Sequence, residues 1–165
     1  MSTILNTNGE AKELPKTGKR VKGKFVVITA EWNSHITHPL RDGALSTLAE
    51  CGITPGHIIT ESVPGTVELV NAAAFYLNKA DIEAIIVIGV VIRGDTPHFD
   101  YVCQIAAQGT AMLNSRGQAP VIFGVLTVDT EAQALERAGG ALGNKGSEAA
   151  IAAVEMANLH AYAIP

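Results

Sequence analysis

The run from Ala84 to Ile92 restricts the fold more than any other part of the chain. Ile85, Ile86, Val87, Ile88, Val90 and Val91 crowd into it with only Gly89 between them, so an extended backbone there is apolar on both faces. Such a strand needs cover on both sides, which a parallel sheet with helices above and below supplies; a half-exposed strand would alternate apolar and polar residues. Three further runs rich in β-branched residues, Lys24–Ala30, His57–Val63 and Pro120–Val128, read as its companions.

Between the runs the period changes from two to about 3.6 residues. Phe99, Val102, Ala106, Gly109 and Leu113 fall on one helical face, and further helices are expected over Ile36–Glu50, Val67–Lys79 and Thr130–Arg137. A last segment, Ser147–Leu159, is Ala-rich and apolar almost all round, so it needs cover on more than one side, which partner subunits could add. Strands alternating with helices predict a three-layer α/β/α sandwich around a four- or five-stranded, mainly parallel sheet, because right-handed crossovers place helices on both faces.

A chain of 165 residues with 47% apolar content matches one domain, expected over 21–165 and preceded by a flexible N-terminal arm over 1–20. The Gly-rich stretch Gly139–Gly146 joins two helices, not two domains. A formal net charge of -4 gives no diffuse attraction to polyanions, so nucleic acid is not an expected partner and any phosphate must be met by a few placed cations. Cys51 and Cys103 form no spaced framework and sit in apolar stretches, as reduced thiols of a cytoplasmic protein would. Residues 1–20 lack the apolar core of a signal peptide, and no uninterrupted apolar run is long enough to span a bilayer, so no membrane association is expected.

In open α/β sheets ligands collect beyond the carboxyl ends of the strands. There the chain places Glu31-Trp32-Asn33, then Pro64-Gly65-Thr66-Val67-Glu68, then Arg93-Gly94-Asp95-Thr96-Pro97-His98, and finally Asp129. Trp32, the only tryptophan, either stacks on a flat heterocycle or fills core or interface. Glu68 falls in a first helical turn, where it either caps the helix or binds a hydroxyl. Gly94-Asp95-Thr96 before Pro97 offers free amides and a hydroxyl at a positive helix end, suited to a phosphate or to an ordinary cap. His98 is the histidine best placed to move protons beside such a ligand.

Other chemistries are excluded by spacing. The Gly139–Gly146 stretch lacks the Gly before Lys and the Ser or Thr after it that a nucleotide loop requires, and no G-x-G-x-x-G follows a strand. His35 and His38 share a helical face without a further ligand cluster, so no metal is expected.

Four blocks taken together resemble lumazine synthases: Val63-Pro64-Gly65-Thr66-Val67-Glu68-Leu69, Val91-Ile92-Arg93-Gly94-Asp95-Thr96-Pro97-His98-Phe99-Asp100, Phe123-Gly124-Val125-Leu126-Thr127, and Arg137-Ala138-Gly139 with Gly143-Asn144-Lys145-Gly146. The resemblance runs from about Gly23 to Leu159. It implies a flavodoxin-like sandwich assembled as homopentamers, which in some members close into icosahedral shells. It also implies substrate binding by Trp32 with Asn33, by Gly65 to Glu68, by Val90, Val91 and Ile92 at the third strand's end, and by Gly94, Asp95 and Thr96 near the phosphate. Trp32 would stack on the pyrimidinedione, Glu68 bind the ribityl hydroxyls and His98 serve catalysis. Phe123, Arg137 and Lys145 match positions contributed by the adjacent subunit, Arg137 pairing with the phosphate.

The implied reaction condenses 5-amino-6-ribitylaminouracil with 3,4-dihydroxy-2-butanone 4-phosphate and needs no cofactor; riboflavin or riboflavin synthase are possible associates. This chain departs from the pattern in carrying Thr66-Val67 where Ala and an aromatic or aliphatic residue are common, and Trp32 where many members have Phe. The loop through Gly139–Gly143 is short, which permits shell formation. Two competing readings are a Schiff-base role for Lys145, whose setting suggests exposure where a nucleophilic lysine needs desolvation, and a non-catalytic flavin-binding relative.

Overall fold

Alternation of strands and helices along the chain is resolved in a computed structural model, which describes residues 14–19 and 21–163. The sheet holds strands β1 (Lys24–Ala30), β2 (Ile58–Val63), β3 (Ile82–Ile92) and β4 (Val121–Val128), all parallel, in the order β2-β1-β3-β4. β3 is buried almost throughout, and its two faces go to different cores. Ala84, Ile86, Ile88 and Val90 join a cluster with helices α1 (Ser34–Glu50), α4 (Glu131–Arg137) and α5 (Lys145–Ala163). Ile85 and Val87 join a second cluster with α2 (Glu68–Leu77) and α3 (His98–Asn114). Removing each such Ile or Val side chain from water contributes about 1.5–3 kcal/mol.

The helix face expected from Phe99 to Leu113 is the inward one, with Ala106 and Leu113 buried. Tyr101, Ile105 and Met112 stay exposed on another face of α3. On the other side, α5 lies along α1. Its small buried residues Ala150, Ala153 and Ala157 suit close packing, Ala149 lies against Gly124 of β4, and Gly146 is seated so tightly that a Cβ there would lie 1.8 Å from the Leu40 carbonyl oxygen.

Element boundaries differ from expectation where local chemistry outweighs pattern. His57 ends a 3-10 turn over Pro55–His57 instead of starting β2, and Pro120, which has no N–H, precedes β4. α2 is shorter than the expected Val67–Lys79. The stretch expected to be only a connector pairs as a two-stranded antiparallel ribbon, β5 (Ala138–Gly140) with β6 (Gly143–Asn144). α5 starts at Lys145, earlier than Ser147, because the Asn144 side chain accepts from Gly146 N at 2.9 Å and Ser147 N at 3.2 Å, capping it.

The arm expected over 1–20 falls outside the described residues for 1–13 and 20. Within 14–19, Thr17 N donates to Cys51 O at 3.2 Å and Gly18 N to Asn158 Oδ1 at 2.7 Å, holding this part against α1 and α5. Among the described residues no helix is long and apolar enough to cross a membrane.

Candidate active site

Register brings the strand ends level in pairs, Ala30 beside Val63 and Ile92 beside Val128, with β3 and β4 running past the end of β1 because Thr29 pairs with Ile88. The ladder continues one step outward, with Glu31 N donating to Val63 O at 2.8 Å, Trp32 N to Pro64 O at 3.0 Å and Arg93 N to Val128 O at 2.9 Å. The residues expected at these ends are therefore held on one carboxyl edge by backbone bonds.

Trp32 projects from this edge with 69% of its surface exposed, so it does not fill the core of its own chain. Its indole rests on Gly65, where an added Cβ would come within 2.6 Å of the ring. Only glycine admits that contact. Asn33 turns the chain into α1 through a left-handed conformation, φ 59°, that asparagine tolerates well. Glu68 is the first residue of α2, and its Oε2 accepts from Gly65 N at 3.0 Å, which ties the turn under the Trp32 ring to the start of the helix. Thr66 is buried and donates through Oγ1 to Val90 O at 3.2 Å, tying the α2 entry to β3. Val67 immediately precedes α2.

Val90 and Val91 are buried and Ile92 is half-buried, so they form the floor from which the next loop leaves. Gly94, Asp95 and Thr96 are exposed, and His98 is the exposed first residue of α3. Arg93 holds this loop's base: its Nε donates to Asp129 Oδ1 at 2.8 Å, and its guanidinium lies 4.0 Å over the Phe99 ring. The Asp129 hydrogen bond, with Asp100 nearby, raises the Arg93 pKa above its ordinary value. At the neighbouring edge, a hydrogen bond from Ser62 and the His38 ring hold the Glu31 carboxyl below its ordinary range.

Phe123, Arg137 and Lys145 gather instead around a groove beside the edge strand, whose lining runs along β4 as far as Val128. They line a groove of about 470 Å³ along β4 and the start of α5, floored by Gly124 and Leu126. Phe123 pairs in register with Val87, well short of the strand's carboxyl end, and is 39% exposed on an edge strand. Arg137 donates from one guanidinium nitrogen to Gln133 O at 2.8 Å. Lys145 corrects an expectation: its side chain is only 17% exposed, and its Nζ donates to both oxygens of Glu148 at 2.7 Å. Glu148 was missed from sequence, although its i,i+3 spacing from Lys145 on one helix was a readable signal.

The structure thus gathers the expected residues into two groups, one at the strand ends and one in the lateral groove. Among the described residues, no cluster of three or more His, Cys, Asp or Glu is arranged to hold a metal.

Comparison with known proteins adds the remaining step. The family model described as 6,7-dimethyl-8-ribityllumazine synthase matches residues 22–161. Over 133 residues the chain is 54% identical to the 6,7-dimethyl-8-ribityllumazine synthase of Porphyromonas gingivalis, covering 81% of this chain and 83% of that one. It is 51% identical to the protein of the same name from Bacteroides fragilis, covering 81% of this chain and 93% of that one. With the Cytophaga hutchinsonii protein of that name the match is 44% over 155 residues, 94% of this chain and 96% of the other. A match across both groups of site residues and the whole sheet leaves one assignment: the chain belongs to the 6,7-dimethyl-8-ribityllumazine synthase family.

Proposed function

We propose that the chain, a riboflavin-pathway transferase by family, condenses 5-amino-6-ribitylaminouracil with 3,4-dihydroxy-2-butanone 4-phosphate in a site that two adjacent copies complete together. The observation that carries this reading is that the groove holding Phe123, Arg137 and Lys145 is lined by none of Trp32, Glu68 and His98. Phe123, Arg137 and Lys145 surround a lateral groove of about 470 Å³, while Trp32, Glu68 and the Gly94–His98 loop stand on the strand-end edge. A head-to-tail ring would set the edge of one copy against the groove of the next at every interface.

In this reading the Trp32 ring stacks on the pyrimidinedione, backed by Gly65, with Asn33, Val90, Val91 and Ile92 bordering the heterocycle. Glu68 exchanges its bond to Gly65 N for ribityl hydroxyls, and Thr66 and Val67 shape that pocket. Gly94, Asp95 and Thr96 receive the phosphate at the start of α3, with Arg137 of the neighbouring copy supplying a planar cation. The substrate amine attacks the ketone, the carbinolamine loses water, phosphate leaves, and ring closure loses a second water. His98 carries protons through these steps. The nucleophile belongs to the substrate, so the protein's work is to hold two molecules together and stabilise the departing phosphate.

The proposal includes assembly from homopentamers, with a closed shell permitted by the short Gly139–Gly143 connection, and association with riboflavin or riboflavin synthase. A cytoplasmic setting accords with the two free cysteines, Cys51 buried and Cys103 half-buried. A Schiff-base role for Lys145 is disfavoured by its pairing with Glu148. Incubating the purified protein with both substrates tests the reading. Formation of 6,7-dimethyl-8-ribityllumazine with release of inorganic phosphate is expected; riboflavin binding without turnover would contradict it and favour a non-catalytic flavin binder.

A further inference from the structure

We infer that Arg93 is a positioning residue, whose side chain closes the Gly94–Pro97 loop into a ring and so fixes the backbone that receives the phosphate and the His98 imidazole. The inference rests on the reading of that loop given above.

Arg93 touches both ends of the loop. Its backbone N–H bonds to Val128 O at 2.9 Å, anchoring the departure point on the β3–β4 ladder. Its Nε donates to Asp129 Oδ1 at 2.8 Å, on the first residue beyond β4. The same guanidinium lies 4.0 Å over the Phe99 ring and 3.5 Å from Asp100 Oδ1, so it also grips the first turn of α3, where the loop ends. A planar cation with forked donors is suited to meeting two carboxylates and an aromatic face at once, which a lysine ammonium is not.

Between these anchors the loop has little else to hold it. Gly94, Asp95 and Thr96 are exposed, and a Cβ built on Gly94 would meet nothing within 4 Å. A loop free to move must be ordered again at each binding event, and misplacement of reacting groups by about 1 Å can cost on the order of a hundredfold in rate. The side chains of Arg93, Asp100 and Asp129 are about half exposed or more, so these pairs add little to global stability. Their consequence is local. The guanidinium is also committed to two carboxylates, whereas Arg137 donates to a backbone carbonyl of its own helix and has one carboxylate, Glu136, at 3.9 Å.

Steady-state kinetics with each substrate varied separately tests this in Arg93→Met, Arg93→Lys and Asp129→Asn, with melting temperatures recorded alongside. Arg93→Met is expected to raise the KM for the phosphorylated substrate by about tenfold and to lower kcat, with the pyrimidine KM changed by less than about twofold. Arg93→Lys is expected to recover part of the loss. Asp129→Asn, which keeps Arg93 but weakens its shorter bond, is expected to move the same KM upward by a smaller factor, and it carries the test if Arg93→Met does not fold. An unchanged phosphorylated-substrate KM in a folded Arg93→Met, or equal losses for both substrates, would overturn the inference. So would a lowered KM in Asp129→Asn, the result expected if Arg93 were a direct phosphate ligand released by the substitution. Failure of the wild-type protein to form lumazine would instead overturn the underlying functional reading, and the inference with it.

Discussion

The strand-end edge and the lateral groove differ in kind. The edge is open: Trp32 rests largely exposed on Gly65, Glu68 bonds back to Gly65 N, and His98 stands at a helix start. The groove is concave and carries the cations Arg137 and Lys145 beside Phe123. One region presents an exposed indole with a carboxylate and an imidazole; the other is a groove with two cations in its lining, one of them paired with Glu148. In many open α/β sheets the strand ends alone enclose a ligand. Under the proposed function the complementary chemistry lies along an edge strand, and each chain would supply half of a site.

The substitution expected to have the largest effect breaks the groove while leaving the strand-end residues untouched. Gly146→Ala would drive a methyl group into the Leu40 carbonyl, a backbone atom that cannot swing aside, so α1 and α5 must separate. A loss of about 3 kcal/mol, or roughly 6–12 °C in Tm, is expected by denaturation. An unchanged Tm would show that the two helices are not locked together at this point.

His98→Ala probes the edge alone and is expected to slow turnover by roughly ten- to a thousandfold while leaving binding largely intact, because proton shuttling supplies only part of the rate. Loss of all activity in a folded protein, or no loss, would each remove His98 from that role. A smaller effect is expected from Trp32→Phe. With less ring area over the ligand, riboflavin affinity should fall by a few-fold, on the order of 1 kcal/mol at most. Equal affinities for the two proteins, read from quenching of riboflavin's own fluorescence, would count against stacking.

The core was readable because apolar residues on both faces of β3 admit few arrangements, and the inward face of α3 followed from its period. The β5–β6 ribbon was not readable, since Gly139, Gly140 and Gly143 carry no side chains whose alternation could announce a strand. The start of α5 was placed too late because its cap is made by the Asn144 side chain, which also donates to Pro39 O at 2.9 Å across the fold. Lys145 was misjudged as exposed for a similar reason: glycines around it suggest an open loop, and only the folded chain sets it against Glu148 and the groove wall. The separation of the site residues into two groups was partly visible, because Phe123 falls inside its strand run and not beyond it. Whether their neighbours in sequence converge or diverge depends on tertiary placement, which local pattern does not carry.

The claim that the two regions meet only across copies is tested most directly by mixing two folded, impaired variants, His98→Ala and Arg137→Ala, through coexpression or through dissociation and reassembly. Each chain lacks one half of the set and keeps the other. With random mixing in a head-to-tail ring, roughly a quarter of the interfaces would join an intact His98 edge to an intact Arg137 groove. Lumazine formation by the mixture is therefore expected to exceed that of either parent. Activity equal to the average of the parents, in rings that mass spectrometry shows to be mixed, would contradict the account and place both residues in a site within one chain.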